Sequence, residues 1–264
     1  MSASSKRPSR RIPARSCRGA LRSAPATWTS SNAIASARGI PVIEDAAQSF
    51  GATYKGRKSC NLSTIGCTSF FPTKPLGCYG DGGAIFTSDD ALATAAREIR
   101  VHGQSKRYVH TRVGVGGRMD TLQCAIVLAK LERFEWELAQ RQKIAAHYSA
   151  LLASLADRIG LPVVRPDRTS VFAQYTVRVA ERARLQAALK DAGIPTAIHY
   201  PVPMHRQPAY EAMGVWPALA VSDQLADRVL SLPMHADLDT KSQELVVAAI
   251  AQCMKSRPGV TVAS

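Results

Sequence analysis

The sequence lacks any apolar run that approaches membrane-spanning length, which argues against a transmembrane helix and predicts a soluble protein with no membrane partner. It also lacks a CxxC motif and any Cys/His cluster, although it contains six cysteines. These absences exclude the usual zinc-binding spacings and predict no metal site. The scattered thiols are typical of a reduced, cytoplasmic protein.

Acidic residues are missing from residues 1–31, which hold seven lysines and arginines. Without this segment the formal charge falls from +14 to +7, because 27 basic residues then face 20 acidic ones. That moderate excess is compatible with an enzyme for an anionic substrate. The basic arm also suggests a nucleic-acid-binding protein, but the body contains no matching motif, so we expect no nucleic-acid partner.

The same segment lacks the continuous apolar core of a secretory signal. Its Arg-, Ser- and Pro-rich composition resembles a transit peptide or a disordered basic arm. We interpret residues 1–31 as disordered or as a non-native, misread start. The chain proper is then expected to begin with a helix ending near residue 38.

The most informative stretch covers residues 40–86. It opens with a short apolar run at residues 40–43, which has the length of a buried strand. Asp45 follows where that strand should end, and ligands collect at the carboxyl ends of strands in open α/β sheets. A second strand-like run, residues 64–71, leads into a turn where Lys74 stands between two prolines. A lysine between two prolines suits a site where the side-chain amine must be held in one direction.

These residue types match the needs of pyridoxal 5′-phosphate (PLP). A lysine holds PLP as a Schiff base, and a carboxylate keeps its pyridinium nitrogen protonated. Lys74 and Asp45 are candidates for these two roles. The Ser69 hydroxyl could donate to the phosphate, and Gln48 could contact the ring or its 3′-oxygen. Each residue alone has an ordinary explanation, since an aspartate after a strand is usually a cap and a loop lysine is usually solvated.

Three motifs act together: DAAQS at residues 45–49, SFFPTKPLG at 69–77 and GDGG at 80–83. In combination they resemble the DegT–StrS family of nucleotide-sugar aminotransferases, from near Asn32 to the C-terminal region. The resemblance implies an α/β chain of PLP-dependent transferase fold type I. We expect residues 32–156 to form a partial large domain with a mostly parallel sheet flanked by helices. Residues 157–264 are expected to form a small α+β domain.

The resemblance also implies a role for each motif residue. Lys74 would carry PLP and then act as the acid and base of the reaction, and Asp45 would pair with the pyridine nitrogen. Gln48 would pack at the ring, and Ser69 would bind the phosphate. The implied reaction is amination of a UDP-linked 2-acetamido-3-oxo-uronate, with glutamate as donor, in a homodimer that shares its sites. Such a step serves bacterial surface polysaccharide, including lipopolysaccharide O-antigen.

Three further residues are assigned to the substrate by the resemblance. Arg118 would reach across the dimer to a substrate carboxylate, which suits a bidentate guanidinium. His199 and Tyr200 would face the sugar. On sequence alone Arg118 is an ordinary surface arginine, and a histidine in an extended segment is usually structural.

Two departures from the family pattern favour an alternative function. Family members usually carry asparagine at the position of Gly116, where it reaches the phosphate in the neighbouring subunit. The family's long section ahead of the aspartate motif is not found in residues 1–31, so we expect an N-terminally incomplete member. The alternative is therefore a catalytically inactive member that keeps the motifs but does not close the cofactor pocket.

Periodicity predicts the remaining elements. Residues 88–90 read as the N-cap of a helix through residue 101, and residues 119–156 as two helices with a bend near residues 134–136. The helically spaced residues Leu122, Ala125, Ile126 and Ala129 are predicted to be core. A helix is expected at residues 181–192, ended by Gly193, and a short strand at residues 232–235.

Overall fold

The computed structural model describes residues 16–19, 27–214 and 219–255. Its strands are β1 (Ser16–Gly19), β2 (Val42–Asp45), β3 (Thr53–Tyr54), β4 (Arg57–Lys58), β5 (Ile65–Ser69), β6 (Gly83–Phe86), β7 (Gln104–Lys106), β8 (Val109–His110), β9 (Ile159–Gly160), β10 (Tyr175–Val179) and β11 (Val229–Leu232). Its α-helices are α1 (Trp28–Ser36), α2 (Asp90–Ile99), α3 (Thr121–Leu131), α4 (Phe134–Leu151), α5 (Arg182–Asp191), α6 (Ala220–Arg228) and α7 (Thr240–Lys255). Short 3₁₀ helices cover Ala153–Leu155, Met204–Arg206 and Pro208–Met213.

The first sheet has the strand order β1-β2-β5-β6. The first three strands run parallel, and β6 pairs with β5 in the antiparallel direction. Asp45 lies opposite Cys67, and Ser69 lies opposite Gly83. The carboxyl ends of β2 and β5 therefore meet at one edge, where α/β sheets bind ligands.

The two faces of this sheet differ in exposure. Val42, Glu44 and Thr68 are buried on one face, where helix α1 and Leu62 of the loop before β5 pack with Val42. Asp45 and Ser69 share the opposite face, because side chains alternate along a strand and partners in register point the same way. Asp45 is exposed and Ser69 is half-buried. The face that carries the predicted cofactor residues is thus the open one.

The second sheet is antiparallel, with the order β9-β10-β11. Tyr175 and Val177 alternate inward from β10, and Leu185 and Leu189 repeat at the i,i+4 spacing of α5. The C-terminal half of α4 and helix α7 complete this core. Its residues with no exposed surface include Tyr148, Leu152, Tyr175, Val177, Leu185, Leu189, Leu230 and Ile250.

Local signals in the sequence placed several element ends correctly. The Asp89 carboxylate accepts a hydrogen bond of 2.9 Å from the Leu92 backbone N–H, so Asp89 caps α2. Gly39 and Gly193 follow α1 and α5 with φ of +62° and +72°, the left-handed conformation that glycine adopts most readily. The two helices expected within residues 119–156 are present, and they separate between Leu131 and Phe134.

Three expectations are wrong. Strand β1 lies within residues 1–31 and α1 begins at Trp28, so the interpretation of that segment as disordered fails for residues 16–19 and 28–31. Residues 1–15 and 20–26 of that segment lie outside the described part of the chain.

The strand expected at residues 232–235 is observed earlier, as β11 at Val229–Leu232, because the apolar run follows directly on α6.

The predicted core face of α3 is wrong for three of its four residues, whereas Ile126 is half-buried and packs against a core cluster. Leu122 is 79% exposed, Ala125 and Ala129 are exposed, and Val127 is the buried residue of this helix. Periodicity identifies an apolar face but does not show what covers it. Among the described residues, none of the helices has the length and apolar character needed to cross a membrane.

Candidate active site

The turn after β5 presents Lys74. The Lys74 backbone N–H donates to the Phe71 carbonyl at 2.9 Å, which closes the first half of the turn. The Cys78 N–H donates to the Phe70 carbonyl at 2.7 Å, and the Cys78 thiol donates to the same oxygen at 2.9 Å. The two ends of the turn are therefore joined, and these hydrogen bonds fix the position of the Lys74 main chain.

Gly77 is required by the close packing of this turn. A Cβ atom at Gly77 would lie 2.6 Å from the Pro72 carbonyl oxygen and 2.8 Å from the Phe71 carbonyl oxygen. Both neighbours are backbone atoms, which do not move as easily as the end of a side chain. A residue larger than glycine would force the turn that carries Lys74 to open.

Helix α3 supports the turn from behind. The Lys130 ammonium donates to the Gly77 carbonyl at 2.6 Å, and the Gln123 side-chain oxygen accepts from the Tyr79 backbone N–H at 2.8 Å. Sequence reasoning missed both residues, because the two contacts span 53 and 44 positions of the chain. No local pattern signals such contacts.

The Lys74 amine is partly buried and lies within electrostatic reach of Asp45. Burial lowers the pKa of Lys74, and the Asp45 carboxylate opposes this by favouring the charged amine. A lowered pKa increases the share of neutral amine, which is the nucleophilic form. Lys74 and Asp45 therefore lie within electrostatic reach of each other, and their roles toward a cofactor stay predictions.

Ser69 and Gln48 lie close in sequence to this pair: Ser69 ends β5, which leads into the turn with Lys74, and Gln48 follows β2, which ends at Asp45. The Ser69 hydroxyl accepts a hydrogen bond of 3.2 Å from the Phe71 backbone N–H, which leaves its own hydrogen to donate elsewhere. The Gln48 side-chain oxygen accepts from the Gln174 side-chain N–H at 3.2 Å. Gln174, which immediately precedes β10, was not foreseen as a site residue.

His199 joins the site from the segment that follows α5. Burial and the nearby Lys74 charge both lower the pKa of His199, so the ring favours its neutral form. Its Nδ1 lies 3.1 Å from the Ser231 hydroxyl. Tyr200 is 57% exposed, and its ring packs edge-on against the imidazole with 5.5 Å between centroids.

Arg118 is not brought to this group. It is exposed just before α3, and the described part of the chain gives its side chain no hydrogen bond or ion pair. Gly116 pairs with Val101 in an isolated bridge, and a Cβ there would meet the His102 ring at 3.1 Å. Any role of Arg118 toward a substrate therefore stays a prediction.

Glu44 lies on the opposite, buried face and is 1% exposed. Its carboxyl accepts from the Leu62 backbone N–H at 3.3 Å, and burial raises its pKa. Because neighbouring residues of a strand point to opposite faces, the sheet holds the two carboxyl groups of Glu44 and Asp45 in different environments. Glu44 supports the floor of the site, whereas Asp45 is open to it.

One protein-family model, described as the DegT/DnrJ/EryC1/StrS aminotransferase family, matches residues 24–251. The chain belongs to this family. The family predicted from the three motifs is thereby confirmed, and the match begins before Asn32.

Curated members of the family include close relatives of the chain. It is 60% identical over 219 residues to the UDP-2-acetamido-2-deoxy-3-oxo-D-glucuronate aminotransferase of Pseudomonas aeruginosa, covering 83% of this chain and 60% of the relative. It is 38% identical over 229 residues to the dTDP-3-amino-3,4,6-trideoxy-alpha-D-glucose transaminase of Streptomyces venezuelae, covering 86% and 60%. The chain thus spans about three fifths of the length of these relatives.

Solved structures of the family share the fold. DesV of S. venezuelae, solved in complex with a ketimine intermediate, superposes with a TM-score of 0.88 at 36% identity, covering 92% of this chain and 66% of DesV. An aminotransferase from Brucella abortus gives a TM-score of 0.86 at 38% identity, covering 91% and 64%. The expected type I fold is confirmed, and the chain is mixed α/β.

Proposed function

We propose that the chain belongs to a PLP-dependent aminotransferase that aminates a UDP-linked 2-acetamido-3-oxo-uronate. The observation that carries the proposal is the Lys74 amine, which is partly buried and lies within electrostatic reach of Asp45 at the open edge of the sheet. The 60% identity to the P. aeruginosa enzyme supports the substrate class. Glutamate as donor, a cytoplasmic homodimer and a role in surface polysaccharide, including O-antigen, are parts of the same proposal.

The residues present fit PLP in the chemistry of their donor groups. Lys74 would hold the cofactor through its amine, and the Asp45 carboxylate would accept a hydrogen bond from the protonated ring nitrogen. The Ser69 hydroxyl would donate to a phosphate oxygen, since it already accepts from Phe71 and keeps its hydrogen free. When bound, PLP supplies an electron sink for the substrate carbon from which a proton is removed.

The protein residues would then move protons and hold the substrate. Lys74 would act as a positioned base and acid, moving a proton between the substrate carbon that bears the nitrogen and the aldehyde carbon of the cofactor. Gln48, whose side-chain oxygen is occupied by Gln174, would offer its N–H group to the site. His199 and Tyr200 would contact the sugar, and Arg118 would bind the uronate carboxylate from the partner subunit of the dimer.

Retention of PLP tests the proposal. Wild type, Lys74→Ala and Lys143→Ala are incubated with PLP, desalted and reduced with borohydride. Lys143 is the matched control, because it is exposed on α4. We expect a retained visible band that borohydride bleaches in wild type and Lys143→Ala, with the label on the peptide that contains Lys74.

Three outcomes separate the alternatives. A retained band in Lys74→Ala would refute the assignment of the lysine. No band in any protein would favour the inactive family member that does not close its cofactor pocket. A band that glutamate converts to the amine form would support glutamate as donor, and a UDP-linked keto sugar should then reverse the change.

A further inference from the structure

A buried serine lies directly behind the candidate sugar-facing histidine. Ser231 is 4% exposed in the middle of β11. Its hydroxyl oxygen lies 3.1 Å from His199 Nδ1 and 2.9 Å from the Thr176 hydroxyl. The three side chains thus form one short row that runs from β10 across β11 to the imidazole.

The main chain of Ser231 anchors the same segment. The Ser231 backbone N–H donates to the Ala197 carbonyl at 2.8 Å, and the Ala197 N–H donates back to the Ser231 carbonyl at 3.2 Å. This two-bond bridge fixes the backbone two residues before His199. Because the backbone bridge and the side-chain contact come from one residue, the imidazole has little freedom to rotate away from β11.

The direction of the hydrogen bonds follows from where the hydrogen outside the row lies. In one arrangement Thr176 donates to Ser231, and Ser231 donates to His199 Nδ1, so that every hydroxyl hydrogen has an acceptor. In the reverse arrangement His199 donates to Ser231 and Ser231 donates to Thr176. Each arrangement leaves one hydrogen outside the row. In the first it lies on Nε2 of the exposed His199 ring, where solvent can accept it, and in the second it lies on the half-buried Thr176 hydroxyl, where an unmet donor is more costly. The first arrangement is therefore favoured.

This direction determines which ring nitrogen carries the proton. A neutral imidazole has one N–H, and Nδ1 is occupied as an acceptor. The hydrogen therefore lies on Nε2, which points away from the serine on the far side of the ring. The neutral state agrees with the lowered pKa of His199, since burial and the nearby Lys74 charge both disfavour an imidazolium.

We propose that Ser231 is a positioning residue that holds His199 in the Nε2–H tautomer, ready to donate to an oxygen of the sugar. The role toward the sugar rests on the proposed function. The tautomer itself does not, because it depends only on contacts within this chain. Thr176 acts through Ser231 by supplying the hydrogen that keeps the row in one direction.

Nitrogen NMR of ¹⁵N-histidine-labelled protein at alkaline pH tests this without cofactor or substrate. His199→Gln identifies the His199 signals. We expect wild-type Nδ1 to resonate as an unprotonated nitrogen and Nε2 as a protonated one. In Ser231→Ala the two signals should move toward each other as the tautomers mix, and Ser231→Thr should restore the separation.

Two further variants keep the test decisive if Ser231→Ala folds poorly. Thr176→Val removes the hydrogen that feeds the row, without touching His199, and should also mix the tautomers. Ser149→Ala removes a comparable core hydroxyl, which pairs with Tyr175 at 2.9 Å, and should leave the His199 signals unchanged. An Nδ1–H tautomer in wild type, or unchanged signals in both Ser231→Ala and Thr176→Val, would overturn the proposal.

Activity measurements separate this inference from the proposed function. If the chain aminates the sugar, Ser231→Ala should lose about 3- to 10-fold in kcat/KM, as expected for one misplaced hydrogen bond. The loss should be mainly in the KM for the sugar, and the KM for the amino donor should be unchanged. If wild type is inactive, the proposed function fails, and the NMR result still decides the role of Ser231.

Discussion

Replacing Gly77 with alanine probes how the chain aims its lysine. The added Cβ would lie 2.6 Å from the Pro72 carbonyl oxygen, and ordinary contact begins near 3.4 Å. The carbonyl must therefore retreat by about 0.8 Å. Because the turn is closed at its ends by Phe70 and Cys78, this shift has to be absorbed within the turn that carries Lys74.

The energetic cost of Gly77→Ala can be bounded. Overpacking a closely packed site costs about 1–3 kcal/mol of stability. Replacing glycine with alanine also lowers the conformational entropy of the unfolded chain, which offsets about 0.4–1 kcal/mol of that loss. We expect a net loss of about 1–2 kcal/mol in the free energy of unfolding. Misplacing a reactive group by about 1 Å can cost as much as a hundredfold in rate. The smaller shift here should slow labelling of Lys74 by PLP and borohydride by about tenfold.

Urea unfolding and the labelling rate of the Lys74 peptide measure these two effects. Gly117→Ala is the matched control, because its Cβ would meet its nearest neighbour at an ordinary 3.4 Å and its backbone is not left-handed. It should be as stable as wild type and should label at the same rate. Equal stability and equal labelling of Gly77→Ala and wild type would refute the inference that the glycine aims the lysine.

Two other substitutions test the supports of the site. Lys130→Met removes the 2.6 Å bond to the Gly77 carbonyl but keeps the side-chain length, and should lower the free energy of unfolding by about 1–2 kcal/mol in urea; an equal effect of the exposed control Lys143→Met would contradict this. Glu44→Gln tests burial of the carboxyl. Because the folded pKa of Glu44 is raised, the folded state keeps its proton longer than the unfolded state, and wild-type stability should fall as pH rises above 4.5. Glu44→Gln should lack this loss, so its advantage in urea midpoint should grow toward neutral pH; a difference that does not change with pH would contradict the prediction.

The sequence predicted those parts of the fold that depend on local chemistry. The Asp89 cap and the glycine that ends α5 were recognised because each acts within a few residues of itself. Leu122 was misassigned to the core because helical spacing reports an apolar face whether or not anything packs on it. The start of β11 was displaced because a helix that runs directly into an apolar strand leaves no turn residue to mark the boundary.

The candidate site shows the same division. Asp45 and Lys74 were proposed because both lie next to strand ends in recognisable motifs, and they lie within electrostatic reach of each other. Gln174 and Ser231 were missed, since their contacts with Gln48 and His199 cross 126 and 32 positions. Contacts of that kind depend on how the two sheets are placed, which no single stretch of sequence records.

Chemical modification of the Cys78 thiol can report how often the turn that carries Lys74 opens. It is 1% exposed, and its single S–H lies within hydrogen-bond distance of the Phe70 and Gly80 carbonyls, with sulfur–oxygen distances of 2.9 and 3.1 Å. A thiol reagent can reach this sulfur only while the turn is open, so the rate of its modification counts openings of the lysine support under native conditions. The half-buried Cys67 and Cys124 should react earlier and provide the reference rate. The rate of Cys78 modification therefore measures how rigidly the turn holds the Lys74 amine.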